Sequence, residues 1–121
     1  MAVTVTELRY RSADRTLDVG FDDGSHFALP AEFLRVESPS AEVQGHGPGQ
    51  KKLVAGRRHV GIMKIESVGN YAVRIFFDDL HDTGLYTWET LHRLGLERDR
   101  LWAEYEQALA GKGLSRDPPR R

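Results

Sequence analysis

The stretch VGIMKIESVGNYAVRIFF, residues 60–77, constrains the fold more than any other part of the chain. Val60, Ile62, Ile65 and Val68 punctuate one run, Gly69-Asn70 has the chemistry of a tight turn, and Ala72–Phe77 returns with β-branched and aromatic side chains. This is a β-hairpin, and it sets two strands antiparallel.

The segments before it read the same way. Leu8 and Tyr10 alternate with charged neighbours until Ser12-Ala13-Asp14 breaks the pattern. Leu17, Val19 and Phe21 then alternate again, and Asp22-Asp23-Gly24 is a hairpin turn before Phe27 and Leu29. Pro30 ends that run because it has no N–H for a ladder, and it suits the first turn of a short helix over 31–34. After the central hairpin, Thr87 is placed to cap a helix carrying Trp88, Leu91 and Leu94. A second helical pattern puts Leu101, Trp102, Tyr105, Ala108 and Leu109 on one face, with Gly111 at its expected C-cap.

Strands, loop, strands and helices in that order predict an α+β domain: a small antiparallel β-sheet built of hairpins, with one or two C-terminal helices. No βαβ succession is present, which disfavours a Rossmann-type site. Residues 1–111 are expected to form one domain. Residues 112–121, ending SRDPPRR, are expected to be a disordered tail whose Arg120 and Arg121 touch anions weakly.

Composition narrows the function classes. A chain of 121 residues can bury one core without staples, and 40% hydrophobic with 29% charged residues is globular rather than disordered. The formal net charge of −1 exerts no global pull toward nucleic acid or membrane, so nucleic-acid binding is disfavoured. The absence of cysteine excludes disulfides and thiolate metal sites. Neither a secretory signal nor an apolar run of the roughly 20 residues that span a bilayer is present, and the expected location is the cytoplasm.

Three stretches could carry chemistry. Asp78-Asp79-Leu80-His81-Asp82 has ligand types suited to an iron or mixed zinc site. His26, His46, His59 and His92 could supply further ligands, but none has the spacing of a known metal motif. The plainer reading makes the aspartates turn residues and gives His81 a backbone partner. The glycine-rich loop His46, Gln50, Lys51 and Lys52 invites an anion reading together with Arg57 and Arg58, but it lacks the pattern of a phosphate loop. No hydrolytic elbow occurs, and Ser38 and Ser40 lie in a loop with no histidine patterned beside them. Tyr86, Trp88, Trp102 and Tyr105 read as packing aromatics, with part of the last helix face open to a partner subunit.

The pieces Leu34-Arg35-Val36, VGNYA (68–72) and DLHDTGLYTW (79–88), with SPSAEVQGHGPGQ (38–50) between the first two, resemble the gamma-butyrobetaine hydroxylase-like N-terminal domain family, in its stand-alone bacterial branch. The likeness covers about residues 6–95. The family includes the N-terminal domain of 2-oxoglutarate-dependent carnitine-pathway dioxygenases and domains joined to iron–sulfur carrier ATPases. In the dioxygenases this domain is not the catalytic one and binds a structural zinc through three cysteines and a histidine. The resemblance puts that histidine at His81 and the cysteines at Ser38, Ser40 and Val43, so it implies a thiolate site that has been lost. The family's usual glycine before the histidine is Leu80 here, which calls a glycine-dependent turn into question. No catalytic dioxygenase core is present in these residues.

The resulting expectation is a non-enzymatic accessory module without a cofactor. It binds a protein, either a second copy of itself or an oxidoreductase or iron–sulfur partner, through the 44–52 loop and the C-terminal helix face. The alternative is weak iron or zinc binding by His81 with Asp79 or Asp82, and with His46 if its loop folds back.

Overall fold

The computed structural model describes residues 2–47 and 49–119. Six strands form two antiparallel three-stranded sheets, each a simple meander. The first holds β1 (Val5–Arg11), β2 (Thr16–Phe21) and β3 (His26–Pro30); the second holds β4 (Ile62–Val68), β5 (Ala72–Phe77) and β6 (Leu85–Thr87). Gly24 (φ 85°) and Gly69 (φ 55°) make the left-handed bends that the two hairpin turns require. The helices are α1 (Ala31–Val36), the four-residue α2 (Ala41–Gln44) and α3 (Trp88–Gly111).

Both sheets feed one core. Leu17, Val19 and Leu29 from the first sheet meet Val73, Ile75, Phe77 and Tyr86 from the second, with Phe33 and Leu34 of α1 and Leu91 and Leu94 of α3 packed among them. The expected hairpins and their inward residues are therefore as read. Two elements go beyond the sequence reading: α2, which falls in a stretch read as loop, and β6, whose three residues pair with Ala72, Val73 and Arg74 just before α3. The Thr87 hydroxyl accepts from the Thr90 N–H, as its position predicts.

The two expected C-terminal helical patterns are one continuous helix of 24 residues. Gly111 is its last residue and not its cap. The left-handed residue is Gly113 (φ 64°), whose N–H donates to the Ala110 carbonyl (3.2 Å) while that of Leu114 donates to Leu109 (2.9 Å). That pair of bonds is a Schellman motif, and it reverses the chain sharply.

The reversal corrects the expectation of a disordered tail for the described residues 112–119. The chain turns back along 56–58, with the Gly56 and Arg58 N–H groups donating to the Ser115 and Arg116 carbonyls, both at 2.9 Å. Arg120 and Arg121, and with them the expected anion contact, lie outside the described residues.

Gly95 lets α3 approach the first sheet. A Cβ there would stand 2.3 Å and 2.4 Å from ring carbons of Phe27. Alanine at this position gains about 1 kcal/mol of helix propensity. It also forces the ring and helix apart, a cost of about 1–3 kcal/mol. Gly95→Ala is expected to lower the midpoint of urea unfolding, whereas a midpoint that rises would mean the contact yields freely.

Candidate functional site

Helix α1 is the hub of the polar chemistry. All six of its residues are buried, including Glu32 and Arg35, and Glu37 and Ser38 follow at 7% and 0% exposure. Buried charges persist only with partners. Each partner here comes from a different outer segment. Arg116 of the returning tail grips Glu32 with Nε (2.8 Å) and Nη2 (2.7 Å), Asp79 of the 78–82 turn accepts from Arg35 Nε (2.8 Å), and Lys51 donates to Glu37 (2.5 Å). Arg116 also stacks over the Trp102 ring at 5.0 Å.

At the C-terminal end of α1 the chain brings together residues that sequence spacing keeps apart. His81 is buried, and its Nε2 lies 2.8 Å from Ser38 Oγ and 3.4 Å from Ser40 Oγ. Its Nδ1 lies 3.3 Å from Glu42 Oε2, on the one-turn helix α2. A proton on Nδ1 satisfies the whole set: the imidazole donates to Glu42 and accepts from Ser38, whose oxygen in turn accepts from the Ser40 N–H at 3.3 Å. Glu42 is anchored by the Thr83 hydroxyl (3.1 Å), and Gln44 donates to the Ser38 carbonyl (2.8 Å).

Serine, imidazole and carboxylate in this order have the connectivity of a hydrolytic triad. The setting does not suit attack on a substrate. Ser38 is fully buried, and a Cβ added at Gly84 would stand 2.6 Å from its Oγ, so the space beside the hydroxyl is already filled by backbone. Below it the Tyr86 hydroxyl donates to the Leu34 carbonyl (2.5 Å), and burial raises the Tyr86 phenol well above its ordinary value.

The three residues expected as metal ligands do not converge. Asp79 accepts through Oδ2 from both Arg35 and Arg57 (2.7 Å), and through Oδ1 from the His81 main-chain N–H (3.2 Å). Its carboxylate is thus committed to two guanidiniums and reaches the imidazole only by way of the backbone. Asp82 is exposed and takes no part in the hydrogen bonds of the cluster. Among the described residues, no group of three or more His, Asp or Glu side chains is placed to hold a metal.

Of the loop residues, His46 is exposed and its N–H donates to Gln50 Oε1 (2.9 Å), Lys51 is paired with Glu37, and the Lys52 N–H donates to the Val43 carbonyl (2.6 Å). The family resemblance already set Ser38 and Ser40 opposite His81, 43 and 41 positions apart, whereas Glu42 was missed and the backbone partner expected for the imidazole is replaced by side chains. Sequence reasoning also missed Arg35 as a partner of Asp79. For Arg35 the signal was a charge set between apolar residues in Leu34-Arg35-Val36.

Leu80 departs from what its side chain favours. It adopts φ 74° and is 82% exposed, while the Phe77 carbonyl accepts from its N–H at 3.1 Å. The glycine-type turn therefore persists without glycine, held by the Asp79 and His81 anchors on either side. A left-handed leucine costs about 1–2 kcal/mol, and glycine loses more chain entropy, worth about 0.4–1 kcal/mol. Leu80→Gly is expected to stabilise the domain by about 0.5–1 kcal/mol in chemical denaturation. An unchanged or lower stability would mean that the leucine makes compensating contacts.

The imidazole has a defined pH signature. Burial lowers the His81 pKa first, Arg35 adds to this, and Glu42 and Asp79 oppose it. Because the folded pKa lies below the unfolded one, the proton binds the unfolded chain more readily. Stability is full above about pH 6.5, the unfolded value, and declines as pH falls toward the depressed folded value. Replacing His81 with glutamine is expected to flatten that slope of unfolding free energy below about pH 6.5. A slope that survives the substitution would assign the titration to another group.

A small α+β domain with a closed imidazole–hydroxyl cluster at the end of a buried, charge-bearing helix is thus the class these features define. The chain belongs to the family described as gamma-butyrobetaine hydroxylase-like, N-terminal, whose model matches residues 8–92. It is similar to a protein known from an NMR solution structure, with 44% identity over 98% of this chain and 93% of that one and a TM-score of 0.84. It is also similar to a protein with unknown function of the DUF971 family from Acidithiobacillus ferrooxidans, known from a crystal structure. That match has 37% identity, covers 76% of this chain and 92% of the other, and has a TM-score of 0.64. No curated protein matches.

Proposed function

We propose that this chain is a non-catalytic protein-interaction or accessory module, and that the zinc position implied by its family survives as a hydrogen-bonded latch. One observation carries the reading: the polar cluster around His81 is closed, whereas an open groove lies where Lys51 and Lys52 meet the α3 face. Both ring nitrogens of His81 are engaged by Ser38, Ser40 and Glu42, so the imidazole ties α1, α2 and the 78–82 turn together. Asp79 accepts from both guanidiniums, Arg35 and Arg57, while Glu42 accepts from the Nδ1 proton of the neutral imidazole. A partner from the oxidoreductase or iron–sulfur class, or a second copy of the chain, is consistent with the company the family keeps. The reading supposes a cytoplasmic setting; no described helix is long and apolar enough to cross a membrane.

Photo-crosslinking in cells tests this, with the reactive group at Ala108 on the groove or at Asp82 on the turn. A discrete adduct from position 108 and none from position 82 is the expected result. Inert monomer by light scattering, with no adduct from either position, would sink the reading. The competing reading, weak iron or zinc binding at His81, would have to displace Ser38 or recruit Glu42. Stoichiometric metal retained by protein purified without a tag, and lost with His81→Ala, would favour it.

A further inference from the structure

The open groove has a definite chemistry. It encloses about 300 Å³ between segment 51–54 and α3. Its floor is the small second core, where Val36 and Tyr105 pack with Leu53 and Val54, and Leu101 and Ala108 of α3 extend it toward solvent. Its rim carries Lys51, Lys52 and Lys112. The two acidic side chains on the same rim are already taken: Glu37 accepts from Lys51, and Glu104 accepts from Arg100 (2.8 Å). Lys52 and Lys112 form no ion pair among the described residues, so the rim presents unmatched positive charge over an apolar floor.

The backbone beside the groove is also open. Segment 51–54 belongs to no helix or strand. Among the described residues its only main-chain hydrogen bonds inside the protein are the Lys52 N–H to Val43 and the Val54 carbonyl, which accepts from Tyr105 Oη at 2.6 Å. Among the described residues, the N–H groups of Leu53 and Val54 and the carbonyls of residues 51–53 make no hydrogen bond inside the protein. An extended segment can pair with unpaired main chain, and its alternate side chains then point to opposite sides.

We infer that the groove binds an extended acidic segment of a partner protein. Main-chain bonds to residues 51–54 hold the segment, one or two of its apolar side chains enter the floor, and its carboxylates meet Lys52 and Lys112. This rests on the interaction reading above and adds the surface and the chemistry of the partner. An electrostatic contact of this kind sets specificity and is weakened by salt.

The test is fluorescence anisotropy with a labelled six-residue peptide that alternates glutamate and leucine, against the same peptide with lysine in place of glutamate. The intact chain is expected to bind the acidic peptide and not the basic one. The exposed pair Lys52→Glu and Lys112→Glu is expected to reduce that affinity at least about tenfold, with an unchanged thermal midpoint, and to gain affinity for the basic peptide. Equal binding of both peptides, no binding of either, or loss without the charge-swapped gain would overturn the inference. So would binding to phosphatidylglycerol vesicles with none to the peptide. A crosslinked partner at position 108 alongside any of these results would leave the interaction reading standing, whereas silence in both experiments removes both.

Discussion

Arg116→Ala is expected to lower the unfolding free energy by about 3 kcal/mol, at the low end for breaking one side of a buried ion pair because Arg116 itself is partly exposed. Glu32 is 6% exposed, and both of its oxygens accept from Arg116. Without the guanidinium its carboxylate stays buried beside Phe33 and Trp102 with no compensating charge. Ending the chain after Leu114 should cost at least as much, because the strand-like bonds from 56 and 58 to 115 and 116 go too. Urea unfolding measures both variants. Adding Glu32→Gln to Arg116→Ala should recover part of the loss, since a neutral amide is cheaper to leave buried than a carboxylate. A change below about 0.5 kcal/mol, typical of exposed ion pairs, would show that the tail does not seal the helix.

The second large effect concerns the position where the family resemblance implies zinc. The triple variant Ser38→Cys, Ser40→Cys, Val43→Cys is expected to take up one zinc ion per chain. In a tetrahedral site with Zn–N near 2.0 Å and Zn–S near 2.3 Å, neighbouring nitrogen and sulfur ligands stand roughly 3.6 Å apart. Ser38 and Ser40 Oγ already stand 2.8 Å and 3.4 Å from His81 Nε2, so only small shifts are needed when longer C–S bonds replace C–O. Val43 is 2% exposed on the same short segment, so a thiolate there would be shielded from solvent. At free zinc about 100 times the dissociation constant, the folded state gains about 2.7 kcal/mol. That corresponds to a rise of about 10 °C in thermal midpoint for a domain of this size. Elemental analysis and melting with and without zinc read the result. Adding His81→Ala must abolish the uptake; zinc held equally well without the imidazole would mean that the thiolates bind it elsewhere.

These two cases show where sequence reading succeeds and where it stops. The hairpins around Asp22-Asp23-Gly24 and Gly69-Asn70, the inward set Leu17, Val19 and Phe21, and the Thr87 cap all depend on residues close in sequence. Alternation and turn chemistry therefore report them directly. The position of the cap at the far end of α3 was misread by two residues, because Gly111 and Gly113 both suit a helix end. Gly113 is the one that turns left-handed, which lets the Leu114 N–H reach the Leu109 carbonyl. The tail was misread for a related reason. Its composition is that of a solvated segment, but Arg116 has a buried carboxylate to meet, and a carboxylate 84 residues away leaves no local trace.

The residues by themselves determined an α+β architecture, its hairpins, the long helical face and the resemblance that identified His81 as a marked position. The tertiary structure decided what His81 does, because its partners Ser38, Ser40 and Glu42 come from a segment about 40 residues earlier that only folding brings alongside. It also decided that Asp79 serves two arginines, and that Lys51 and Lys52 meet the face of α3 at one groove. Backbone preference acts within a few residues and is written in the local sequence. Charge pairing and burial act across space, and they become visible once the core has fixed which distant segments touch.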